Sequence, residues 1–228
     1  MKITVFRYNP QKDNEPRYED YVIREYEKHM KIIDALNYVN SEYGANIAFR
    51  SSCRAGQCGS CALRANKKPV LACRTDVEDG ILLEPLRNFP VIKDLAVATQ
   101  MSYPRIRALR PFIHRGTKKS DTLEPMLLRD LKRISKLKDC IECYSCMSVC
   151  PVFTNTKEFA GPLLFRILAR FHHDVRDNLG RLTIAVEEGL YLCTSCGACL
   201  VACPEGIDTN KEIEKMQTLV YESSKTKN

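Results

Sequence analysis

The chain has 228 residues, enough for about one and a half domains of ordinary size. A hydrophobic fraction of 44% and a charged fraction of 28% exclude a wholly disordered chain. No apolar run reaches the roughly 18 residues of a membrane span, and the first residues lack the apolar core of a secretory signal. We therefore expect a cytoplasmic protein in which the twelve clustered cysteines stay reduced and bind metal.

The net charge of +7 is compatible with nucleic-acid binding. However, an oxidised four-thiolate iron–sulfur cluster carries a charge of about −2, so three such clusters would bring the total to about +1. The basic run around Lys132 and Lys136 also falls on one face of a predicted helix, with leucines on the other. We expect no nucleic-acid partner, although a zinc-dependent nucleic-acid or scaffold protein remains an alternative.

The first part of the chain, residues 1–100, reads as one α+β domain. The strand, hairpin and helix patterns predict these elements: strands Met1–Tyr8, Tyr18–Glu25, Asn46–Phe49, Val70–Cys73 and Ile81–Glu84, and a helix over Lys31–Tyr43. A glycine- and cysteine-rich loop lies between the third and fourth of these strands. This order is typical of a β-grasp, plant-type ferredoxin domain.

The second part, residues 101–228, reads as an all-helical, bacterial-ferredoxin-like domain. The predicted helices are Thr122–Lys138, Leu163–Phe171, Asn178–Glu188 and Ile207–Ser223. Pro104, Pro111 and Gly116 indicate an irregular linker before them. The fold class is therefore α+β, with a sheet domain followed by a helical one.

The first cysteine block consists of Cys53, Cys58 and Cys61, followed by Cys73 after eleven residues. The C-x4-C-x2-C…C spacing is that of plant-type [2Fe–2S] sites. The interleaved glycines allow a sharply bent backbone, which can bring N–H groups close to the sulfur atoms. A zinc knuckle or unrelated core cysteines are the alternatives.

The second and third cysteine blocks each follow the bacterial-ferredoxin pattern C-x2-C-x2-C-x3-C-P. They comprise Cys140, Cys143, Cys146 and Cys150, and Cys193, Cys196, Cys199 and Cys203. In two-cluster ferredoxins the fourth cysteine of each block binds the other cluster. We assign Cys140, Cys143, Cys146 and Cys203 to a first [4Fe–4S] cluster, here called the first cubane site. The second cubane site takes Cys193, Cys196, Cys199 and Cys150, and a zinc ribbon is the alternative.

Other chemistry has little support in the sequence. His172 and His173 are expected to be surface or packing residues rather than ligands. The chain contains no Ser/His/Asp arrangement, HExxH motif, Walker A loop or GxGxxG motif. The recognisable chemistry is one-electron transfer, and we expect no catalytic residues on this chain.

The first block with its flanks, from Ser51 to Cys61 with Cys73, resembles the [2Fe–2S] signature of the iron–sulfur subunit of succinate dehydrogenase and fumarate reductase. The eleven-residue gap before Cys73 matches that family better than photosynthetic ferredoxins, where the gap is longer. Asn88–Leu95 resembles the family's segment leaving the first domain. The second block, Phe159–Pro162 and the third block also follow the family's order, so the resemblance covers nearly the whole chain.

The resemblance implies an electron-transfer subunit with no substrate chemistry of its own. A flavoprotein catalytic subunit carrying FAD would interconvert succinate and fumarate, and this chain would relay the electrons. The far end would be a quinone, reached at a membrane-anchor subunit, or a thiol or heterodisulfide, reached through a cysteine-rich, heterodisulfide-reductase-like subunit. The chain would be cytoplasmic, or peripheral on the cytoplasmic face of the membrane, with no transmembrane segment of its own.

Two departures from the family pattern matter. Most members lack the cysteine found here at Cys196 and carry a [3Fe–4S] cluster, so we expect a second [4Fe–4S] cluster, with [3Fe–4S] as the alternative. Quinone-reactive members have a tryptophan after the second-block Cys-Pro and a histidine after the first cysteine of the third block. This chain has no tryptophan, and Thr194 follows Cys193, which puts a quinone pocket in doubt.

A second reading keeps the electron relay but changes the flavoprotein. The paired four-cysteine blocks also fit a relay subunit of another soluble flavin oxidoreductase or of a heterodisulfide-type oxidoreductase. The β-grasp block and the Asn88–Leu95 segment favour the succinate and fumarate family instead.

Overall fold

The computed structural model describes residues 1–115 and 126–225. The strands are β1 (Lys2–Arg7), β2 (Arg17–Val22), β3 (Ala62–Ala65), β4 (Lys68–Leu71), β5 (Ile81–Glu84), β6 (Val91–Lys93) and β7 (Ala96–Val97). The helices are α1 (Ile32–Tyr43), α2 (Tyr103–Ala108), α3 (Leu128–Lys138), α4 (Ser145–Val149), α5 (Pro151–Asn155), α6 (Pro162–His172), α7 (Arg181–Glu187), α8 (Ala198–Val201) and α9 (Thr209–Lys225). Short 3₁₀ turns lie at Thr99–Ser102 and Leu190–Leu192.

The described residues divide into two compact units. The first comprises residues 1–100 together with 141–149, and the second comprises the remainder. One division falls after residue 100. Residues 141–149, which include part of the second cysteine block, also belong to the first unit. A single boundary between two continuous domains does not predict this.

The first unit is built on a five-stranded sheet in the order β2-β1-β5-β3-β4. β1 and β5 run parallel, whereas the other neighbouring strands run antiparallel. The alternation in β1 buries Ile3 and Val5 on one face. Helix α1 buries Ile33, Leu36 and Val39 at helical spacing in the same hydrophobic core. The predicted α+β class and sheet domain are confirmed.

The predicted strand over Asn46–Phe49 is wrong, because side chains replace strand pairing there. The Asn40 side chain bonds both backbone groups of Ile47, accepting from its N–H at 2.7 Å and donating to its carbonyl at 3.0 Å. The carboxylate of Asp94 accepts the N–H of Ala48 at 2.9 Å. The segment is therefore held as an irregular loop leading into the first cysteine block.

Residues 141–149 are fixed to the first unit by polar and aromatic contacts. The Ser148 hydroxyl accepts the backbone N–H of Arg87 at 2.9 Å, and the Asn88 side chain donates to the carbonyl of Met147 at 2.8 Å. The ring of Tyr144 packs edge-to-face on another aromatic ring, with centroids 5.5 Å apart. These contacts place the Cys143 and Cys146 turn on the first unit.

The second unit packs helices around α6, which is buried along nearly its whole length. α6 lies against α3, α7 and α9. Pro162 begins α6, where a missing N–H costs no hydrogen bond. The helical character predicted for this part of the chain is confirmed for its described residues.

The region predicted as a linker is partly helical. α2 carries Pro104 in its first turn, where proline is tolerated. The fully buried Arg181 donates to the carbonyls of Arg110 at 3.0 Å and Phe112 at 2.9 Å, and it pairs with Asp177. Around Pro111 the backbone forms no helix or strand, as predicted, and this buried guanidinium holds it in place.

The remaining predicted boundaries differ by small amounts. α3 begins at Leu128, whereas the predicted start at Thr122 lies outside the described residues, as does Gly116. α9 begins at Thr209 and continues to Lys225. Across residues 1–115 and 126–225, no helix has both the length and the hydropathy needed to cross a bilayer.

Candidate metal centres

The β3–β4 hairpin brings two cysteines of the first block together. Ala62 in β3 is opposite Leu71 in β4, so Cys61 and Cys73 flank the open end of the hairpin. Their Sγ atoms lie 3.4 Å apart, and both side chains are buried. The hairpin thus explains why the fourth cysteine follows the third after eleven residues.

The other two cysteines of this block lie on the exposed loop before β3. The backbone N–H groups of Ala55 and Gln57 donate to Sγ of Cys53 at 3.4 and 3.3 Å. The sulfur of Cys58 lies 2.8 Å from the hydroxyl oxygen of Ser60. A loop that directs N–H and O–H groups at sulfur suits a thiolate ligand, because such donors stabilise negative charge on sulfur.

Two thiols of this block have shifted pKa values in opposite directions. The Ser60 hydroxyl and the backbone N–H groups of Cys53 and Ser60 lower the pKa of Cys58 to about 6. Burial raises the pKa of Cys61 to about 11. Cys58 is therefore a thiolate near neutral pH, whereas Cys61 needs a bound cation to lose its proton. Together the residues present fit a [2Fe–2S] group.

Two glycines shape the loop. Gly56 and Gly59 have φ values of +71° and +67°, in the left-handed region that glycine adopts readily. A Cβ on Gly56 would overlap the guanidinium of Arg74, and one on Gly59 would overlap the carbonyl oxygen of Ile141. The same Cβ on Gly59 would lie 2.9 Å from Cα of Cys143. The loop thus touches the turn of the second cysteine block inside the first unit.

The four cysteines predicted for the second cubane site line one cavity in the second unit. They are Cys150, Cys193, Cys196 and Cys199. The wall of the cavity also includes the apolar side chains of Phe159 and Ile213. Cys150 of the second block thus lines the same cavity as three cysteines of the third block, although the two blocks are far apart in sequence.

Burial and mutual repulsion keep thiols of this set protonated in the metal-free chain. Burial raises the pKa values of Cys150 and Cys193, and the neighbouring thiols raise them further. The same causes raise the pKa of Cys199 to about 11. Four thiolates facing one cavity need positive charge between them, which a [4Fe–4S] group supplies, so the residues fit it.

The ligand set predicted for the first cubane site draws on both units. Cys143 and Cys146 belong to residues 141–149 of the first unit, whereas Cys140 and Cys203 belong to the second. Sγ of Cys143 lies 3.3 Å from the Ser145 hydroxyl oxygen. Sγ of Cys203 accepts the N–H of Ile207 at 3.3 Å. This ligand set stays a prediction.

Sequence reasoning missed several groups beside the sulfur atoms. Ser60 and Ser145 each follow a cysteine by two residues, a Cys-x-Ser signal that could have been found. Asn210, at the start of α9, lines the cavity of the second cubane site, and no spacing rule indicated it.

Among the described residues, no three His, Cys, Asp or Glu side chains are arranged to hold one metal ion.

The two histidines lie apart from the thiols. Nε2 of His173 lies 2.6 Å from the carboxylate of Glu212, and burial lowers the pKa of His172. Both line a groove between α3, α6 and α9 with Arg133 and Lys215. Neither lines the cavity of the second cubane site.

Comparison with known families assigns a domain to each part of the chain. Residues 2–103 match the 2Fe-2S iron–sulfur cluster binding domain. Residues 136–207 match the 4Fe-4S dicluster domain. The two matches include the three cysteine blocks.

Similar proteins share nearly the whole length of the chain. It is 32% identical to the fumarate reductase iron–sulfur subunit of Escherichia coli O6:H1, with 94% of this chain and 91% of that protein covered. It is 44% identical to a fumarate reductase (CoM/CoB) subunit of Methanothermobacter marburgensis, with 96% of this chain and 44% of that protein covered. The chain thus spans less than half the length of this archaeal relative.

A solved structure shows the same architecture. In the Mycobacterium smegmatis Sdh1 complex in the apo form, one chain superposes with a TM-score of 0.89 at 27% identity, and the match covers 97% of this chain and 95% of that one. Similarity over at least 94% of this chain, the two matched domains and the shared fold agree. The chain belongs to the family of fumarate reductase and succinate dehydrogenase iron–sulfur subunits, the electron-transfer components of oxidoreductase complexes.

Proposed function

We propose that the chain relays electrons one at a time through one [2Fe–2S] and two [4Fe–4S] clusters. One end of the relay is the FAD of a flavoprotein subunit that interconverts succinate and fumarate. The observation that carries this proposal is the cavity in the second unit lined by four thiols, because four ligands are what a [4Fe–4S] cluster requires. The presence of Cys196 therefore supports [4Fe–4S] rather than [3Fe–4S] at that site.

The residues of the chain bind the clusters, exclude water and set reduction potentials. The clusters supply one-electron redox chemistry when bound. Cys61 and Cys73 are buried at the [2Fe–2S] site, and Cys150 and Cys199 are buried at the second cubane site, which keeps water from part of these two sites. The N–H groups of Ala55 and Gln57 stabilise negative charge on Cys53, and this favours the reduced state. The same relay can run in either direction, since the potentials of donor and acceptor decide.

We further propose that the far end of the relay is a thiol or heterodisulfide rather than a quinone. Thr194 stands where quinone-reactive members carry a histidine, and the chain has no tryptophan. The archaeal relative's name links fumarate reductase to CoM/CoB, and this chain shares 44% identity with it over 220 residues. A cysteine-rich partner region would then receive or supply the electrons, in the cytoplasm.

The experiment is anaerobic purification of the native complex with identification of every chain by mass spectrometry. We expect a flavoprotein, a cysteine-rich region and fumarate reduction supported by thiols. A membrane-anchor subunit with quinol-dependent activity would overturn the proposed far end but keep succinate and fumarate. A different flavoprotein, without succinate or fumarate activity, would overturn the proposed reaction.

The clusters are tested on the same preparation by EPR. We expect a reduced [2Fe–2S] signal and two reduced [4Fe–4S] signals, with no [3Fe–4S] signal at full stoichiometry in oxidised, strictly anaerobic protein. Cys73→Ser should alter or abolish the [2Fe–2S] signal while leaving both [4Fe–4S] signals. About three zinc atoms per chain and no labile sulfide would overturn the cluster assignment.

A further inference from the structure

Asn210 occupies a position at the second cubane site that the ligand assignment does not explain. It is the second residue of α9, and its side chain lines the cavity together with the thiols of Cys150, Cys193, Cys196 and Cys199. Thr194 and Asn210 are the polar, non-thiol side chains in the lining. A carboxamide in this wall is chemically distinct from the apolar groups of Phe159 and Ile213 beside it.

The carboxamide oxygen has no partner in the described part of the chain. Oδ1 of Asn210 is buried and accepts no hydrogen bond there. Nδ2 of the same group donates to a carboxylate oxygen of Glu214 at 2.8 Å, on an exposed side chain. The hydrogen bond to Glu214 therefore satisfies Nδ2, which water could also satisfy, and leaves the buried Oδ1 without a donor.

Exchanging the nitrogen and oxygen positions of the Asn210 carboxamide changes which of the two atoms is buried. Nitrogen and oxygen of an asparagine side chain are assigned from their hydrogen bonds, since their shapes are nearly the same. With the ends exchanged, Nδ2 takes the buried position and Oδ1 faces solvent near Glu214, whose exposed side chain can rotate away. An unsatisfied buried polar atom costs more than a hydrogen bond to an exposed carboxylate contributes.

The buried position needs a partner that accepts hydrogen bonds. A [4Fe–4S] cluster with four thiolate ligands is anionic, and its sulfur atoms accept hydrogen bonds. The start of a 17-residue helix at the same place, α9, adds the positive end of a helix dipole. A side-chain oxygen facing this anion would be repelled, whereas an N–H would be attracted.

We propose that Nδ2 of Asn210 donates a hydrogen bond to a sulfur atom of the [4Fe–4S] group at the second cubane site and raises its reduction potential. A donor stabilises the more negative, reduced state more than the oxidised state. Asn210 is thus a positioning and tuning residue, not a ligand. This inference rests on the proposed cluster content of the site.

The first test measures the potential in the full complex. EPR-monitored redox titration compares wild type, Asn210→Leu, Asn210→Asp and the control Asn155→Leu, which changes an exposed carboxamide of the same unit. At a fixed ambient potential, we expect Asn210→Leu to raise the oxidised-to-reduced ratio of this cluster by about three- to tenfold, where tenfold is about 59 mV for one electron. Asn210→Asp should raise the ratio further, because it adds negative charge.

The second test uses wild-type protein and so does not depend on a variant folding. Asparagine labelled with ¹⁵N at the side-chain amide is incorporated, and pulsed EPR of the reduced cluster is recorded. We expect a ¹⁵N hyperfine coupling to this cluster. Absence of the coupling, or an unchanged ratio in both Asn210 variants relative to Asn155→Leu, would overturn the inference.

The two proposals fail in different ways. Wild-type protein without a [4Fe–4S] signal at the second cubane site would overturn the cluster assignment and this inference together. A normal [4Fe–4S] signal without the coupling would overturn the role of Asn210 alone. The proposed succinate and fumarate reaction is unaffected by either result.

Discussion

Asp94 is a buried carboxylate in the first unit. Only 2% of the residue is exposed. Its carboxylate accepts three hydrogen bonds, from Nε of Arg7 at 3.1 Å, from the N–H of Tyr8 at 3.1 Å and from the N–H of Ala48 at 2.9 Å. It thus joins the end of β1 to the irregular loop that leads into the first cysteine block.

Asp94→Asn keeps the shape of the side chain but removes its charge and replaces one acceptor by a donor. Breaking a buried ion pair by removing one partner costs about 3–5 kcal/mol. Because one oxygen of the amide can still accept hydrogen bonds, we expect the lower end, about 3 kcal/mol. For a unit of about 100 residues this lowers Tm by about 12 °C or more.

The assay is anaerobic thermal unfolding of the cluster-loaded protein, followed by visible circular dichroism of the [2Fe–2S] site. The matched control is Asp20→Asn, which changes the same residue type in an exposed pair with Lys2. We expect the control to change stability by no more than about 1 kcal/mol. If the free energies of unfolding of Asp94→Asn and the control differ by less than about 1 kcal/mol, the Asp94 carboxylate does not stabilise the first unit by joining β1 to the loop.

Three further substitutions test the sites and the second unit. Cys196→Ser should convert the second cubane site to a [3Fe–4S] site of higher potential, seen as a new EPR signal in oxidised protein; an unchanged [4Fe–4S] signal would contradict the ligand assignment. Gly59→Ala should abolish or displace the [2Fe–2S] signal because the added Cβ overlaps backbone, whereas Gly44→Ala, also at positive φ but facing open space, should keep it; equal signals would refute the steric argument. Burial raises the pKa of Glu212, but His173 and Lys215 outweigh it and lower this pKa from 4.5 to about 2. The ionised Glu212 side chain therefore stabilises the fold fully above about pH 4.5, and this contribution is lost as the pH falls towards 2. Urea unfolding should therefore show Glu212→Gln less stable than wild type at pH 7 with a smaller difference at pH 4, and a difference that grows on acidification would show the sign to be wrong.

The cysteine spacing carried most of what could be predicted. A pattern such as Cys53-x4-Cys58-x2-Cys61 directly reflects how many ligands one tight loop can direct at a small metal group, so local sequence contains the information. The crossed assignment of Cys150 came from the same source. The structure then placed Cys150 in one cavity wall with three cysteines of the third block.

What the sequence could not predict depends on contacts between distant residues. Ile47 and Ala48 look strand-like, but the side chains of Asn40 and Asp94 occupy their backbone groups. β3 was not predicted because Ala62–Ala65 is short and forms a strand only by pairing with β4. Asn210 belongs to no motif, since only folding brings the start of α9 to the cavity.

The inclusion of residues 141–149 in the first unit has a consequence for synthesis in the cell. The first 100 residues leave the ribosome before α4 and its flanking turn exist, and about 50 more residues must be made before the unit can be completed. At about 5–20 residues per second, this delay lasts about 3–10 s. During that interval the surface that later contacts Ser148 and Met147 is uncovered, so the first unit cannot close until residue 149 has been made.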